Sequence, residues 1–151
     1  MINFVCGNMF SDLDQADCAV NTVNCNGVMG KGVALEFRNR FPDMFSWYKD
    51  LCKARQIQPG HVYPYVDETN LTIFNMATKD DWWNRSEYDW VDSALQDLRD
   101  YMMVYYDNHD KLLLMPPPGC GNGGLQWDMV KPMVKRHLKE LKCEVRVYEP
   151  R

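Results

Sequence analysis

The chain has 151 residues, of which 46% are hydrophobic and 25% charged, and its formal net charge is −4. The length is enough for a single domain, residues 1–151, with a real core, and the composition is near ordinary globular values. The negative balance argues against a broad basic footprint for duplex nucleic acid, but leaves room for a pocket that takes one modified nucleotide. No apolar run approaches the roughly 20 residues of a membrane span, and the opening MINFVCGNMF lacks the basic segment of a signal peptide. A soluble cytoplasmic protein with no membrane partner is expected. The six cysteines (Cys6, Cys18, Cys25, Cys52, Cys120 and Cys143) form no C-x-x-C pair, and His61, His109 and His137 sit far apart. Reduced thiols are therefore expected, with no metal and no cofactor.

In chain order, Ile2 to Cys6 and Asp17 to Val23 (DCAVNTV) read as strands. A glycine loop follows, VNCNGVMGKG, and a helix begins at Gly32 and runs to Arg40. Phe41-Pro42 breaks it, and a second helix spans Asp43 to Ala54. After a Pro59-Gly60 turn, His61 to Val66 and Leu71 to Ala77 predict a hairpin around the polar DETN segment. Ser86 to Tyr106 reads as a long helix capped by Ser86, with Val91, Ala94, Leu95, Leu98, Met102 and Tyr105 at helical spacing. Lys111 to Met115 (KLLLM) has the unbroken apolar character of a strand buried on both faces. The segment PPPGCGNGG leads into a helix from Gln126 to about Leu141, and Glu144 to Tyr148 closes the chain as a strand. This alternation predicts an α/β fold, a three-layer α/β/α domain with a central mixed sheet.

Seven of the nine glycines fall in two segments: Gly27, Gly30 and Gly32, then Gly119, Gly121, Gly123 and Gly124. Neither segment is a nucleotide-hydrolase P-loop. Gly27 is only three residues before Gly30, and Gly32 stands after Lys31 where a metal-binding hydroxyl would be needed. The dinucleotide fingerprint G-x-G-x-x-G is also absent. Each segment nonetheless follows an apolar strand and enters a helix, where backbone amides attract anions. Two such loops can grip one diphosphate from two sides, although glycines also make plain tight turns.

DCAVNTVN (Asp17 to Asn24), VMGKGVA (Val28 to Ala34) and PPPGCGNGGLQW (Pro116 to Trp127) together resemble the macro domain family, in the right order and across nearly the whole chain. The GCGNGGLQW form points to the branch that contains the DarG antitoxin macro domain and the vertebrate terminal ADP-ribose glutamate hydrolase. The resemblance implies an ADP-ribose pocket that holds the diphosphate without magnesium. It implies that Gly30, Lys31, Gly32 and Val33 supply amides from the first loop, and Gly119, Cys120, Gly121, Asn122 and Gly123 from the second. Cys120 acts through its backbone in this reading, since no histidine is placed to activate its thiol. Asn8 stands where many macro domains have an aspartate that contacts adenine, and an amide carbonyl can accept the same hydrogen bond. Asn24 matches an asparagine near the distal ribose and joins Lys79 as a candidate catalytic residue, its amide able to bond ribose hydroxyls. Both asparagines also suit turns. Trp127 either walls the ribose pocket or packs the last helix.

Lys79, in NMATKDDWW, matches the lysine that this branch uses for catalysis at a strand end facing the distal ribose. A neutral amine would attack the anomeric carbon, whereas an ammonium would orient water or stabilise charge. Asp80 and Asp81, if close in space, favour the charged form. Lys31 is the rival for a catalytic role, and it can also reach a phosphate. Trp82 and Trp83 fall in a loop, where they either stack on an unpaired base or pack on the core, and Arg85 can touch a flanking phosphate. The vertebrate hydrolase carries an aspartate in its second loop where this chain has Gly123, and DarG-type domains share the glycine. The resemblance thus implies a glycohydrolase that removes ADP-ribose from thymidine in single-stranded DNA; a monomer is expected. DarG carries a second, toxin-binding domain; this sequence ends with its macro segment, so toxin capture is not implied. Two alternatives stay open: an ADP-ribose-1''-phosphate phosphatase, and a binding module without catalysis.

Overall fold

Six short strands rich in β-branched and apolar residues make one sheet in the computed structural model, which describes residues 1–151. The strands are β1 (Ile2–Val5), β2 (Cys18–Val23), β3 (Val62–Val66), β4 (Thr72–Ala77), β5 (Leu112–Met115) and β6 (Glu144–Tyr148). Their spatial order is β1-β6-β5-β2-β4-β3. All neighbours pair in parallel except β3, which runs antiparallel to β4 at one edge. Pro64 sits in the middle of β3, and an edge is where a residue without an N–H is tolerated in a sheet. The interior strands β4 and β5 are buried at every position, as parallel strands covered on both faces must be.

Four α-helices cover the sheet: α1 (Gly32–Arg40), α2 (Pro42–Lys53), α3 (Tyr88–Tyr105) and α4 (Trp127–Leu138). Strand alternation sends side chains to two separate cores. Cys18, Val20, Phe74, Met76, Leu113, Met115, Val145 and Val147 pack under α3 and α4. Ala19, Val23, Ile73, Ala77, Leu112 and Leu114 pack on the other face with Phe37, Met44 and Tyr48 of α1 and α2. The three-layer α/β/α architecture with a mixed sheet is the expected one.

Two local expectations need correction. Ser86 does not cap α3: the cap is Glu87, with no side-chain bond. Ser86 is instead buried, its Oγ lying 3.3 Å from Thr78 Oγ1 and its amide donating to the Gly123 carbonyl at 2.9 Å. Met9–Gln15, to which sequence patterning assigns no element, winds as a 3-10 helix capped by the Asn8 side chain. Its heptamer MFSDLDQ is too short and too polar to show a helical period, yet Met9 and Phe10 are buried.

A candidate ADP-ribose cleft at the strand ends

The site follows from the strand order. Strands β5, β2 and β4 are adjacent and parallel, so their carboxyl ends open on one rim. From that rim emerge the second glycine loop after β5, the first glycine loop after β2, and Lys79 after β4. Ligands in open α/β sheets bind at this end. Between the loops lies a cleft of about 810 Å³, lined by Asn24, Gly30, Lys31, Gly32, Val33, Lys79, Gly119, Gly121, Asn122 and Gly123, all marked by the sequence. The volume is within the range of small-molecule sites.

The first loop is held open from below. Met29 is fully buried, with its sulfur 3.7 Å from Asn21 Nδ2. Asn24 shapes the turn: its Oδ1 accepts from the Asn26 amide at 3.1 Å and from the Tyr48 hydroxyl at 2.7 Å, and its Nδ2 donates to the Val28 carbonyl at 2.7 Å. Tyr48 Oη also lies 2.8 Å from the Asn24 carbonyl oxygen. Asn24 is thus mainly a shaper of the loop, with one Nδ2 hydrogen left for a ligand. The amides of Gly30, Lys31, Gly32, Val33 and Ala34 have no acceptor within the protein, as expected of a loop entering the first turn of α1. Such a row of N–H groups is an anion site.

The second loop contributes differently. The amides of Gly119, Gly121, Asn122 and Gly123 have no internal acceptor, whereas that of Cys120 donates to the Pro117 carbonyl at 3.2 Å. In this structure the Cys120 amide is taken up within its own turn, and Cys120 is not among the residues lining the cleft. Burial pushes its thiol up to about 11, which favours the protonated form at neutral pH. Gly119 has φ +75°, and a Cβ there would lie 2.8 Å from Leu125 Cδ1. Gly123 is more constrained, since a Cβ would meet Ser86 Oγ at 2.3 Å and the Gly119 carbonyl oxygen at 2.5 Å. No side chain fits at Gly123, and that includes the aspartate of the resembled vertebrate enzyme.

Lys79 is partly buried, and its Nζ donates to the carbonyls of Asn122 at 3.2 Å and Trp82 at 3.4 Å. Burial first, and the charge of Lys31 second, hold its pKa below the ordinary lysine value. Asp80 and Asp81 do not reverse this; their charges act on the Cys25 thiol, which burial and those carboxylates raise to about 12. Lys31 itself is exposed at the cap of α1 and lines the cleft.

Two other marked residues lie elsewhere. Asn8 lines a neighbouring depression of about 300 Å³, which shares Val33, Pro116 and Pro117 with the cleft. There its Oδ1 accepts from the Phe10 amide at 3.0 Å. Trp127 lines neither cavity: its Nε1 donates to Glu149 at 2.8 Å, and its ring meets Phe4 edge-on at 6.1 Å. It packs α4 onto the sheet and does not wall the pocket. Thr78, which the sequence did not single out, and Pro116 and Pro117, marked there only as the start of the second-loop motif, also line the cleft.

An α/β sheet whose strand ends present two amide loops around a lysine defines an anion-binding cleft. The Macro domain family model matches residues 20–134. The chain is 39% identical over 155 residues, 99% of its length, to the DNA ADP-ribosyl glycohydrolase of Thermus aquaticus, of which it covers 41%. The structure of the macrodomain of Thermus aquaticus DarG superposes with a TM-score of 0.89 at 38% identity, covering 99% of each chain. Thermosipho africanus DarTG, solved in complex with ADP-ribose, gives a TM-score of 0.87 at 30% identity over 99% of this chain and 41% of that one. The chain belongs to the macro domain family, in the branch of the DarG macrodomains. It spans about two fifths of the length of the curated relatives it matches.

Proposed function

We propose that this domain is a DNA ADP-ribosyl glycohydrolase that binds ADP-ribose in the cleft and releases it from thymidine in single-stranded DNA. The observation that carries this reading is Lys79: a partly buried amine with a lowered pKa, on the rim between two loops of unpaired amides. The diphosphate lies between those loops, the adenine end runs toward the depression at Asn8, and the distal ribose faces Lys79 and Asn24. The neutral amine attacks the anomeric carbon as the carbon–nitrogen bond to thymine breaks, and the base takes up a proton. The lysine adduct loses a proton and is then hydrolysed by water, which leaves a hydroxyl on the ribose and restores the amine. With no room for a side chain at Gly123, an aspartate in the second loop takes no part in that second step.

The names of the similar proteins support the same reading, since Thermus aquaticus and Mycobacterium tuberculosis relatives are DNA ADP-ribosyl glycohydrolases. All six cysteines are free, in keeping with action in the reducing cytoplasm. The test is a mass shift on a single-stranded oligonucleotide bearing ADP-ribosyl thymidine. The wild type removes the ADP-ribose mass; Lys79→Ala loses at least about a hundredfold in rate, the lower end of what a nucleophile supplies. Release by both proteins alike would remove Lys79 from the chemistry. Release by neither, with ADP-ribose still bound, would leave a phosphatase or a reader of ADP-ribose.

A further inference from the structure

Two large aromatic side chains stand in the open at the mouth of the cleft. Trp82 and Trp83 are 50% and 63% exposed, and their rings meet edge-to-face, 5.5 Å apart at 90°. They do not pack on the core, where tryptophan ordinarily goes. Both ends of their loop are clamped to the second glycine loop: Lys79 to the Asn122 carbonyl, the Ser86 amide to Gly123, and Arg85 to the Gly124 carbonyl at 2.8 Å. The Asn84 amide closes the tip onto the Asp81 carbonyl at 3.1 Å. The aromatic tip is therefore a fixed projection beside the site.

Charge is sorted across this loop. Lys79 and Arg85 line the cleft with the tryptophans, and Lys31 joins them from the opposite loop. Asp80 and Asp81 lie outside the lining; both raise the Cys25 thiol, and Asp81 Oδ2 accepts from Asn84 Nδ2 at 3.5 Å. The cleft lining at the mouth thus combines aromatic surface with cations and includes no carboxylate. Exposed bases joined by phosphates match that combination, since every base has a π-face to stack and every phosphate accepts from a guanidinium. A duplex, with its base faces covered, does not.

We propose that Trp82, Trp83 and Arg85 form a docking platform for the acceptor strand, a single-stranded nucleic acid whose base next to the modified one stacks on Trp83. Arg85, with one nitrogen committed to Gly124, turns its remaining donors to the flanking phosphate. This rests on the function proposed above and names the surface by which that function selects nucleic acid over other carriers of ADP-ribose.

The test measures binding of an unmodified short oligothymidylate by fluorescence anisotropy to the wild type, Trp83→Ala and Trp83→Phe, with ADP-ribose binding to each followed by calorimetry. Trp83→Ala weakens oligothymidylate by roughly 5- to 150-fold, the value of one stacked base, and Trp83→Phe recovers most of it. The loss for ADP-ribose is much smaller. Equal losses for both ligands, or no loss for the strand, would each overturn the platform. Strand binding needs no turnover, so the two proposals fail separately. A wild type that binds the strand through Trp83 but releases no ADP-ribose keeps the platform and sinks the glycohydrolase. A Trp83→Ala variant whose KM for the modified oligonucleotide matches the wild type does the reverse.

Discussion

The amine of Lys79 carries two opposed influences. Two carbonyl oxygens accept its hydrogens, while burial and the Lys31 charge press it toward neutrality. The net direction is downward, and this has a sign that kinetics can read. If the free amine attacks, the protonated form is inactive and kcat rises with pH, levelling above the lowered pKa of Lys79. Replacing Lys31 by Met removes the second cause of the shift, so the rising limb moves to higher pH and less enzyme is active at neutrality. A profile that instead falls through that limb would assign the work to the ammonium. Sequence could place Lys79 beside two aspartates but could not say which way their charges point. In the folded chain both raise the Cys25 thiol, and Asp81 accepts from the Asn84 side chain, while Lys79 keeps a lowered pKa.

At the scale of the elements, the cleft is made by loops, and the loops are held by what lies under them. Tyr48, on α2, is fully buried, and its hydroxyl reaches both the backbone and the side chain of Asn24. Removing that hydroxyl in Tyr48→Phe leaves the Asn24 carbonyl without its buried donor, at a cost of about 1–3 kcal/mol. Denaturant melts should show that loss, and ADP-ribose affinity should fall with it because the first loop loses its shape. Nothing in the sequence joined Tyr48 to Asn24, since the contact crosses from a helix to a loop 24 residues away. The glycines, by contrast, were legible, because a loop that must approach a ligand leaves a compositional mark. What composition does not reveal is which amide in such a loop is spent on its own turn, and so Cys120 looked available although Pro117 takes it.

For the whole molecule, the strands and helices were legible wherever a period ran long enough, as in α3, or where burial on both faces made an unbroken apolar run, as in β5. The sheet order was not, because pairing of β2 with both β4 and β5 is long-range. That order brings three chain segments far apart in sequence to one rim, so a ligand spanning them ties the two halves of the sheet together. Under the proposed function, ADP-ribose at a hundred times its Kd is expected to stabilise the fold by about 2.7 kcal/mol, which for a domain of this size raises Tm by roughly 5–10 °C. Differential scanning fluorimetry would register this. A shift no larger than that given by adenosine would mean that the amide loops contribute nothing.

Gly123 bears on how this site can change over time. Its missing side chain is enforced by a hydroxyl on one side and by backbone on the other, and trimming Ser86 would relieve only the first. A single substitution at Gly123 does not put an aspartate into this loop, because its Cβ already meets Ser86 and the Gly119 carbonyl. The loop from Gly119 onward has to be re-routed in the same step. Installing an aspartate-assisted step here calls for transplanting the segment whole.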